Sequence, residues 1–265
     1  MAKPKLIAGN WKMNGSKADI DTWAAHIFAG EAGATAKKLL PGVSDSENKA
    51  EILLCPPAIL LDHTGKALKT TGVKWGGQDC HAEASGAHTG DISTGMLKEM
   101  GCTYAIVGHS ERRQNHGETS ENVANKARAV HAAGLVAIIC VGETDDERTS
   151  GKAEDIVTGQ LKNSIPDTAT PENTVVAYEP VWAIGTGKVA SAEDIAQMHG
   201  IIRDSVTKQV GDGVRLLYGG SVKVANAPEI LHTPNVDGVL VGGASLKAEE
   251  FQAIALAAQK GAKAV

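Results

Sequence analysis

The sequence predicts an α/β fold, a closed (β/α)8 barrel in which eight parallel strands are surrounded by helices. Eight short apolar runs recur along the 265 residues, helical patterns lie between them, and no long linker interrupts the alternation. Short continuous runs rich in Val and Ile are typical of parallel strands that are buried on both faces. An open doubly wound sheet shares this alternation, and the presence of eight units favours the closed barrel.

The predicted elements follow one another in a regular order. Helices are expected where apolar side chains recur on one helical face, as in residues 18–29 and 120–133. Ser191 precedes an acidic turn and predicts a helix N-cap, and residues 247–260 predict a final helix. Residues 41–48 are expected to form a surface extension between the first helix and the second strand. The predicted strands span residues 6–8, 51–55, 73–76, 104–107, 135–141, 174–178, 214–218 and 236–241.

Composition argues against several classes of function. The net charge is −5 and the 26 Lys and Arg residues are scattered, so we expect no nucleic-acid partner. No apolar run approaches the roughly 20 residues of a bilayer span, and the start of the chain lacks a signal-peptide pattern. We therefore expect a single cytoplasmic domain over residues 1–265 with no membrane contact. The four cysteines form no Cys-x-x-Cys pair, and Cys80, His81 and His88 carry no chelating spacing, so no metal is expected.

Polar residues and glycines follow five of the predicted strands. In a (β/α)8 barrel the carboxyl ends of the strands form the active-site face. We therefore expect one mouth to collect a lysine, a histidine and two carboxylates. The segments concerned are Asn10-Trp-Lys12, Gly108-His-Ser-Glu111, Glu179-Pro180, Gly219-Gly-Ser221 and Gly242-Gly-Ala-Ser245.

Five longer motifs carry a resemblance to a known family. They are Gly9-Asn-Trp-Lys-Met-Asn14, Val107-Gly-His-Ser-Glu-Arg-Arg113, Tyr178-Glu-Pro-Val-Trp-Ala-Ile-Gly-Thr-Gly187, Tyr218-Gly-Gly-Ser-Val222 and Val241-Gly-Gly-Ala-Ser245. In this order they resemble the triosephosphate isomerase family over essentially the whole chain. The resemblance implies a TIM barrel that interconverts dihydroxyacetone phosphate and D-glyceraldehyde 3-phosphate in glycolysis and gluconeogenesis. The reaction moves a proton through an enediol or enediolate and requires no cofactor and no metal.

The residues at the mouth divide into a base, an electrophile and charge-stabilising groups. Glu179 is interpreted as the general base, and burial at the barrel mouth is expected to raise its basicity. His109 precedes a short helix whose dipole disfavours imidazolium, so a neutral ring is expected to polarise the carbonyl and shuttle protons. Lys12 is expected to stabilise the phosphate and the developing oxyanion, and the resemblance makes Asn10 a substrate contact. Glu111 is expected either to pair with Lys12 when substrate is absent or to relay protons.

The phosphate site is expected to consist mostly of backbone N–H groups. Gly185 lies on a lid predicted over residues 180–190, and Ser221 follows a pair of glycines. Gly242 and Gly243 end the last strand at the expected start of a helix. The N-terminus of a helix favours the binding of an anion. Closure of the lid would exclude water from the intermediate.

The sequence allows two alternative functions. Residues 185–190 match the dinucleotide-binding pattern Gly-x-Gly-x-x-Ala, which suggests an NAD-dependent dehydrogenase. In such an enzyme the pattern directly follows one strand and precedes a second strand that ends in an acidic residue. Neither condition is met here. A non-catalytic barrel is the other alternative. The presence of Glu179, His109 and Lys12 argues against it.

The loop at residues 77–90 resembles a family loop that inserts into a partner subunit. The resemblance implies a homodimer in which Thr89 lies near the partner's Asn and Lys. His88 stands where the family commonly has an aromatic residue, so this position departs from the pattern. Glu143 and Arg148 are expected to form a supporting ion pair.

Overall fold

The computed structural model describes residues 3–27, 50–184 and 189–258. Its eight strands pair in parallel in chain order, and the last strand pairs with the first, so the sheet closes into a barrel. The predicted (β/α)8 barrel is confirmed, and each strand overlaps its predicted run. The strands are β1 (Leu6–Asn10), β2 (Glu51–Cys55), β3 (Lys74–Gly77), β4 (Tyr104–Val107), β5 (Val136–Val141), β6 (Thr174–Tyr178), β7 (Arg215–Tyr218) and β8 (Gly238–Val241).

Helices connect successive strands and cover the outside of the barrel. The α-helices in the described residues are α1 (Lys17–Ile27), α2 (Leu61–Leu68), α3 (Thr94–Glu99), α4 (Ser110–His116), α5 (Ser120–Ala132), α6 (Asp145–Thr149), α7 (Ala153–Ser164), α8 (Ala192–Gln209), α9 (Ala227–His232) and α10 (Ala248–Ala257). Short 3-10 turns occupy Ala58–Leu60, Val181–Ala183 and Gly243–Leu246. Among these described helices, none combines the length and the hydropathy needed to cross a bilayer.

Some predicted features fall outside the described residues. They are the extension at 41–48, the last residues of the helices predicted at 18–29 and 247–260, and the centre of the predicted lid with Gly185. The predicted N-cap at Ser191 is present, because its hydroxyl accepts a hydrogen bond from the Asp194 N–H at 3.1 Å.

The buried apolar side chains form two clusters, one inside the barrel and one between the strands and the helices. Strand residues alternate between them because successive side chains point to opposite faces of a sheet. The inner cluster includes Leu6 and Ala8 of β1 and Val175 and Ala177 of β6. The next inward positions after Ala8 and Ala177 are Asn10 and Glu179. The same alternation therefore directs these two side chains into the mouth of the barrel.

Candidate active site

A cavity of about 680 Å3 lies at the carboxyl ends of the strands. It combines residues from β1 and from the loops after β4, β6, β7 and β8. A neighbouring cavity contains Glu111 together with Asn10, Lys12 and His109. Of the predicted site residues, the main cavity is lined by Asn10, Lys12, His109, Glu179, Ser221, Gly242 and Gly243.

Glu179 is the most deeply buried charged group of the cavity. Its side chain is 2% exposed. Oε1 lies 2.8 Å from Nε2 of His109, and Oε2 accepts a hydrogen bond of 2.8 Å from the backbone N–H of Ser110. A Cβ atom on Gly142 would lie 1.8 Å from the carbonyl oxygen of Glu179, so only glycine allows the chain after β5 to pass this close.

The pKa of Glu179 differs in direction from the sequence-based expectation. Burial alone would raise it, but the charge and hydrogen bond of His109, the Ser110 N–H and the charge of Lys12 outweigh burial and lower this pKa below its ordinary value. The expectation that burial makes the carboxylate more basic is therefore wrong for this arrangement. The reason is that the His109 ring and the Ser110 N–H, both in direct contact with the carboxylate, compensate the lost hydration.

His109 is the N-cap of α4, and its Nδ1 accepts a hydrogen bond of 3.2 Å from the Glu111 N–H. Burial lowers the pKa of His109, but the adjacent Glu179 carboxylate and the charge of Glu111 outweigh burial and raise this pKa above its ordinary value. The expected shift towards the neutral ring is therefore wrong here, because carboxylate contact at 2.8 Å is stronger than the dipole of a short helix. The N-cap bond still favours a ring whose proton is on Nε2, since Nδ1 acts as an acceptor.

Lys12 is held in an unusual backbone conformation, with a φ of +53°. Two side chains support it: the Lys12 N–H donates to Oδ1 of Asn10 at 3.0 Å, and Nε2 of Gln78 donates to the Lys12 carbonyl at 2.8 Å. Its ammonium group pairs with Glu111, which is the contact expected when substrate is absent. Strained conformations of this kind persist where the surrounding contacts determine them.

Sequence reasoning missed the supporting role of Gln78. Its amide donates to the carbonyl groups of Lys12 and Cys55, at 2.8 and 2.9 Å, and thereby joins the ends of β1 and β2. Gln78 directly follows β3, so the rule that selected the residues after the other strands would have found it.

Three of the predicted phosphate residues, Ser221, Gly242 and Gly243, line the same cavity, and Gly185 is outside the described residues. Ser221 donates to the carbonyl oxygen of Ala183 at 3.0 Å, which connects the loop after β7 to the turn after β6. Gly242 precedes the 3-10 turn at Gly243–Leu246, and a Cβ atom there would lie 3.5 Å from Cε of Lys12. A side chain at position 242 would therefore contact the lysine of the cavity.

The start of the predicted lid is anchored by a buried carboxylate. Glu143 accepts hydrogen bonds from the hydroxyl of Tyr178 at 3.0 Å and from Nε1 of Trp182 at 2.9 Å. Its ion pair with Arg148, at 3.2 Å, confirms the predicted contact. Arg148 also lies over the Trp182 ring at 4.5 Å, so a cation–π contact reinforces the anchor.

Comparison with known proteins agrees with this geometry. The family model described as triosephosphate isomerase matches residues 5–258. A triosephosphate isomerase from Afipia carboxidovorans is 54% identical over 253 residues, which cover 94% of this chain and 96% of the relative. A second from Granulibacter bethesdensis is 49% identical, with 95% of this chain and 98% of the relative covered.

A solved structure extends the comparison to three dimensions. The crystal structure of triosephosphate isomerase from Bartonella henselae superposes with a TM-score of 0.84 at 44% sequence identity, and the match covers 96% of this chain and 99% of that one. The match of the family model, the identities and the superposition agree. The chain belongs to the triosephosphate isomerase family.

Proposed function

We propose that the cavity binds a triose phosphate and that Glu179, His109 and Lys12 carry out the interconversion of dihydroxyacetone phosphate and D-glyceraldehyde 3-phosphate. The contact between the Glu179 carboxylate and the His109 ring, in a cavity that also contains Lys12, is the observation that carries this assignment. In dihydroxyacetone phosphate, the carboxylate takes a proton from C1 while the carbonyl oxygen on C2 receives one. Return of a proton to C2 and loss of one from the C1 oxygen yields the aldehyde.

Glu179 has to exchange partners before it can act as the base. Both carboxylate oxygens are hydrogen-bonded, one to His109 and the other to Ser110. Release of the His109 contact frees one oxygen for the substrate carbon. The binding energy of the substrate phosphate compensates for the loss of the contact between Glu179 and His109, since interactions with a remote group can favour the reactive geometry.

The same exchange sets the protonation of His109. The Glu179 carboxylate is the main influence that raises the pKa of this ring, and burial and Lys12 both lower it. Once the carboxylate turns to the substrate, the neutral ring with its proton on Nε2 is favoured. That proton is then available to the substrate carbonyl, and Nδ1 continues to accept from the Glu111 N–H.

Charge stabilisation and phosphate binding are assigned to the remaining residues. Lys12 can leave Glu111 for the substrate anion, and Glu111 then serves as its resting partner. The side chain of Asn10 contacts the reacting oxygens. Phosphate binding is assigned to Ser221, Gly242, Gly243 and, outside the described residues, Gly185.

We also propose that the chain forms a homodimer through the loop at residues 77–90. Residues 83–90, including Thr89, are exposed. The neighbouring cavity of about 680 Å3 lies between the base of this loop and α4, and Met13 at its edge is 95% exposed. A partner's loop in this cavity would bring Thr89 of the partner subunit towards Asn10 and Lys12. Sedimentation over a range of concentrations tests the dimer, and a monomer throughout would contradict it.

Two further assignments belong to this proposal. Residues 1–265 are assigned to a single domain, because one closed sheet organises the described elements. A cytoplasmic location is proposed because these substrates are intermediates of glycolysis and gluconeogenesis. Cell fractionation tests the location.

A coupled assay tests the activity directly. Purified protein in chelator-treated buffer is supplied with D-glyceraldehyde 3-phosphate, and formation of dihydroxyacetone phosphate is followed with an enzyme specific for that product. We expect saturable conversion, and conversion in the reverse direction with the same sample. No conversion by folded protein would overturn the proposed function. The dehydrogenase and non-catalytic alternatives are not supported by the family comparison.

A further inference from the structure

A single arginine side chain joins the carboxyl ends of β4 and β5. Nε of Arg113, on α4, donates to the carbonyl of Gly108 at 2.9 Å, and its Nη2 donates to the carbonyl of Cys140 at 3.1 Å. Gly108 directly follows β4, and Cys140 is the last residue but one of β5. Sequence reasoning quoted Arg113 within a motif and assigned it no role.

Two serine hydroxyls complete the contacts of this guanidinium in the described part of the chain. Nη1 of Arg113 donates to Oγ of Ser120, the first residue of α5, at 3.1 Å. Nη2 also donates to Oγ of Ser164, the last residue of α7, at 3.0 Å. These two hydroxyls and the two carbonyls are neutral, so none of the four acceptors cancels the charge of the guanidinium. All four belong to the same chain as Arg113, so the contacts do not depend on the proposed dimer.

The two segments that the arginine joins also hold Glu179. The Ser110 N–H, two residues after Gly108, donates to Oε2 of Glu179 at 2.8 Å. The carbonyl of Val141, the residue after Cys140, accepts from the Glu179 N–H at 2.8 Å. The first contact fixes the carboxylate and the second fixes the backbone of the same residue. A displacement of either segment would therefore move the proposed base.

The same side chain supports His109 through its backbone. Gly108 has a φ of +68°, in the left-handed region that favours glycine. Its carbonyl belongs to the peptide that leads into His109, the N-cap of α4. Because Arg113 donates to this carbonyl, it holds the peptide from which the imidazole ring extends.

Arg113 also acts on Glu179 through its charge. The two residues line a small cavity of about 100 Å3, together with Ser110 and Gly142. Burial lowers the pKa of Arg113, and the negative charge of Glu179 opposes this shift. A guanidinium stays charged at neutral pH. Since the attraction is mutual, it favours the ionised carboxylate that a general base requires.

We propose that Arg113 is a positioning residue for the isomerisation: it holds Glu179 and His109 in their relative geometry and favours the carboxylate form of Glu179. The inference rests on the proposed function of the main cavity. Arg113 is not among the described residues that line this cavity, and its contacts do not include the proposed phosphate residues Ser221 and Gly242. Its loss should therefore affect kcat more than KM.

Steady-state kinetics of Arg113→Gln and Arg113→Lys over a range of pH tests the inference. Lysine retains the charge, but its single nitrogen does not reproduce the planar fork that holds two carbonyls. We expect kcat of both variants to fall by about 10-fold, with KM within about two-fold of the unmodified protein. Should Arg113→Gln fail to fold, Arg113→Lys decides, because it keeps both a charge and a donor.

The pH profile separates charge from geometry. Loss of a positive charge near Glu179 favours its protonated form, so the acid limb of kcat/KM should move to higher pH by about 0.5 pH unit in Arg113→Gln. The acid limb of Arg113→Lys should stay in place. A merely structural role of Arg113 would lower stability without this difference between the two variants.

Arg215→Met is the matched control, because it removes another arginine that bonds within the barrel, at the end away from the main cavity. It should keep kcat and the acid limb, and circular dichroism checks the folding of all variants. The inference is overturned if Arg113→Lys keeps full kcat, if folded Arg113→Gln keeps kcat or the acid limb of the unmodified protein, or if Arg215→Met lowers kcat equally.

A measurement without turnover separates this inference from the proposed function. Absence of conversion by the unmodified protein would contradict the function itself. The ring resonances of His109 in protein labelled with 15N-histidine, assigned with His109→Gln, report the geometry in either case. They should shift in Arg113→Lys and stay in place in Arg215→Met. Unchanged His109 resonances in Arg113→Lys would overturn the positioning role.

Discussion

The two ends of the barrel interior both carry charged side chains, but these groups have different surroundings. At the lower, amino-terminal end, Arg215 Nη1 lies 2.9 Å from Oε2 of Glu51, and its Nη2 donates to the Tyr104 hydroxyl at 2.6 Å. Lys74 adds a contact of 2.8 Å to Oε1 of Glu51. At the upper, carboxyl-terminal end, charged groups such as Lys12 and Glu179 line cavities of about 680 Å3.

The difference lies in whether the paired charges line a cavity. In the lower network, Glu51, Lys74, Tyr104 and Arg215 bond to one another, and these contacts serve stability. At the upper end, Lys12 pairs with Glu111 and Glu179 contacts His109, but these groups line the cavities. A ligand in a cavity can therefore replace their present partners. Beneath the mouth, Nε2 of His199 is a buried atom without a hydrogen-bond partner among the described residues.

The largest expected effect is on catalysis at the upper end. Glu179→Gln removes the proposed base and retains the shape of the side chain, so kcat should fall by about 10³-fold. Steady-state kinetics of the isomerisation measures this loss. Circular dichroism and the thermal midpoint serve as controls for folding. A variant with unchanged kcat would remove Glu179 from the proposed mechanism.

The second prediction concerns acid sensitivity beneath the mouth. His199 contacts the rings of Tyr178 and Tyr218, and burial lowers its pKa from 6.5 to about 4. Between these values the unfolded state binds the proton and the folded state does not, so stability falls as the pH decreases. The loss in the free energy of unfolding that His199 causes, relative to neutral pH, approaches about 3 kcal/mol at pH 4.

His199→Gln provides the test, because glutamine can donate to the Asn235 carbonyl as Nδ1 of His199 does and does not titrate. The free energy of unfolding, measured with urea from pH 7 to pH 4, should decrease less in this variant. Parallel pH curves for the two proteins would contradict the assignment.

The third prediction addresses the lower network. Arg215→Met leaves Glu51 and Tyr104 without their buried guanidinium partner, so the free energy of unfolding should decrease by about 2 kcal/mol. Isomerase kcat should stay unchanged, because Arg215 is at the other end of the barrel from the cavity. A loss of kcat without a loss of stability would show that the two ends are coupled.

The smallest expected effect is at the edge of the same network. The Lys74 side chain is 44% exposed, and solvent therefore screens its pair with Glu51. Lys74→Met should change the free energy of unfolding by less than about 1 kcal/mol. Urea denaturation of this variant and Arg215→Met under identical conditions measures the contrast. Equal losses would indicate that burial does not distinguish the two cations.

Local sequence rules predicted the barrel and most residues of the candidate site. The runs that became β1 and β6 end next to Asn10 and Glu179, and their alternation directs both side chains into the mouth. Gln78 was missed although it obeys the same rule.

The sequence by itself determined the order of eight strands and helices and the residues at the strand ends, because periodicity and chain order are local properties. The tertiary structure decided how these residues interact. It set the directions of the Glu179 and His109 pKa shifts, because electrostatic interactions depend on separations of a few ångströms between side chains of different strands. It also placed Lys12, His109 and Glu179 on one cavity and the Glu51 network at the other end of the barrel, which chain order does not specify.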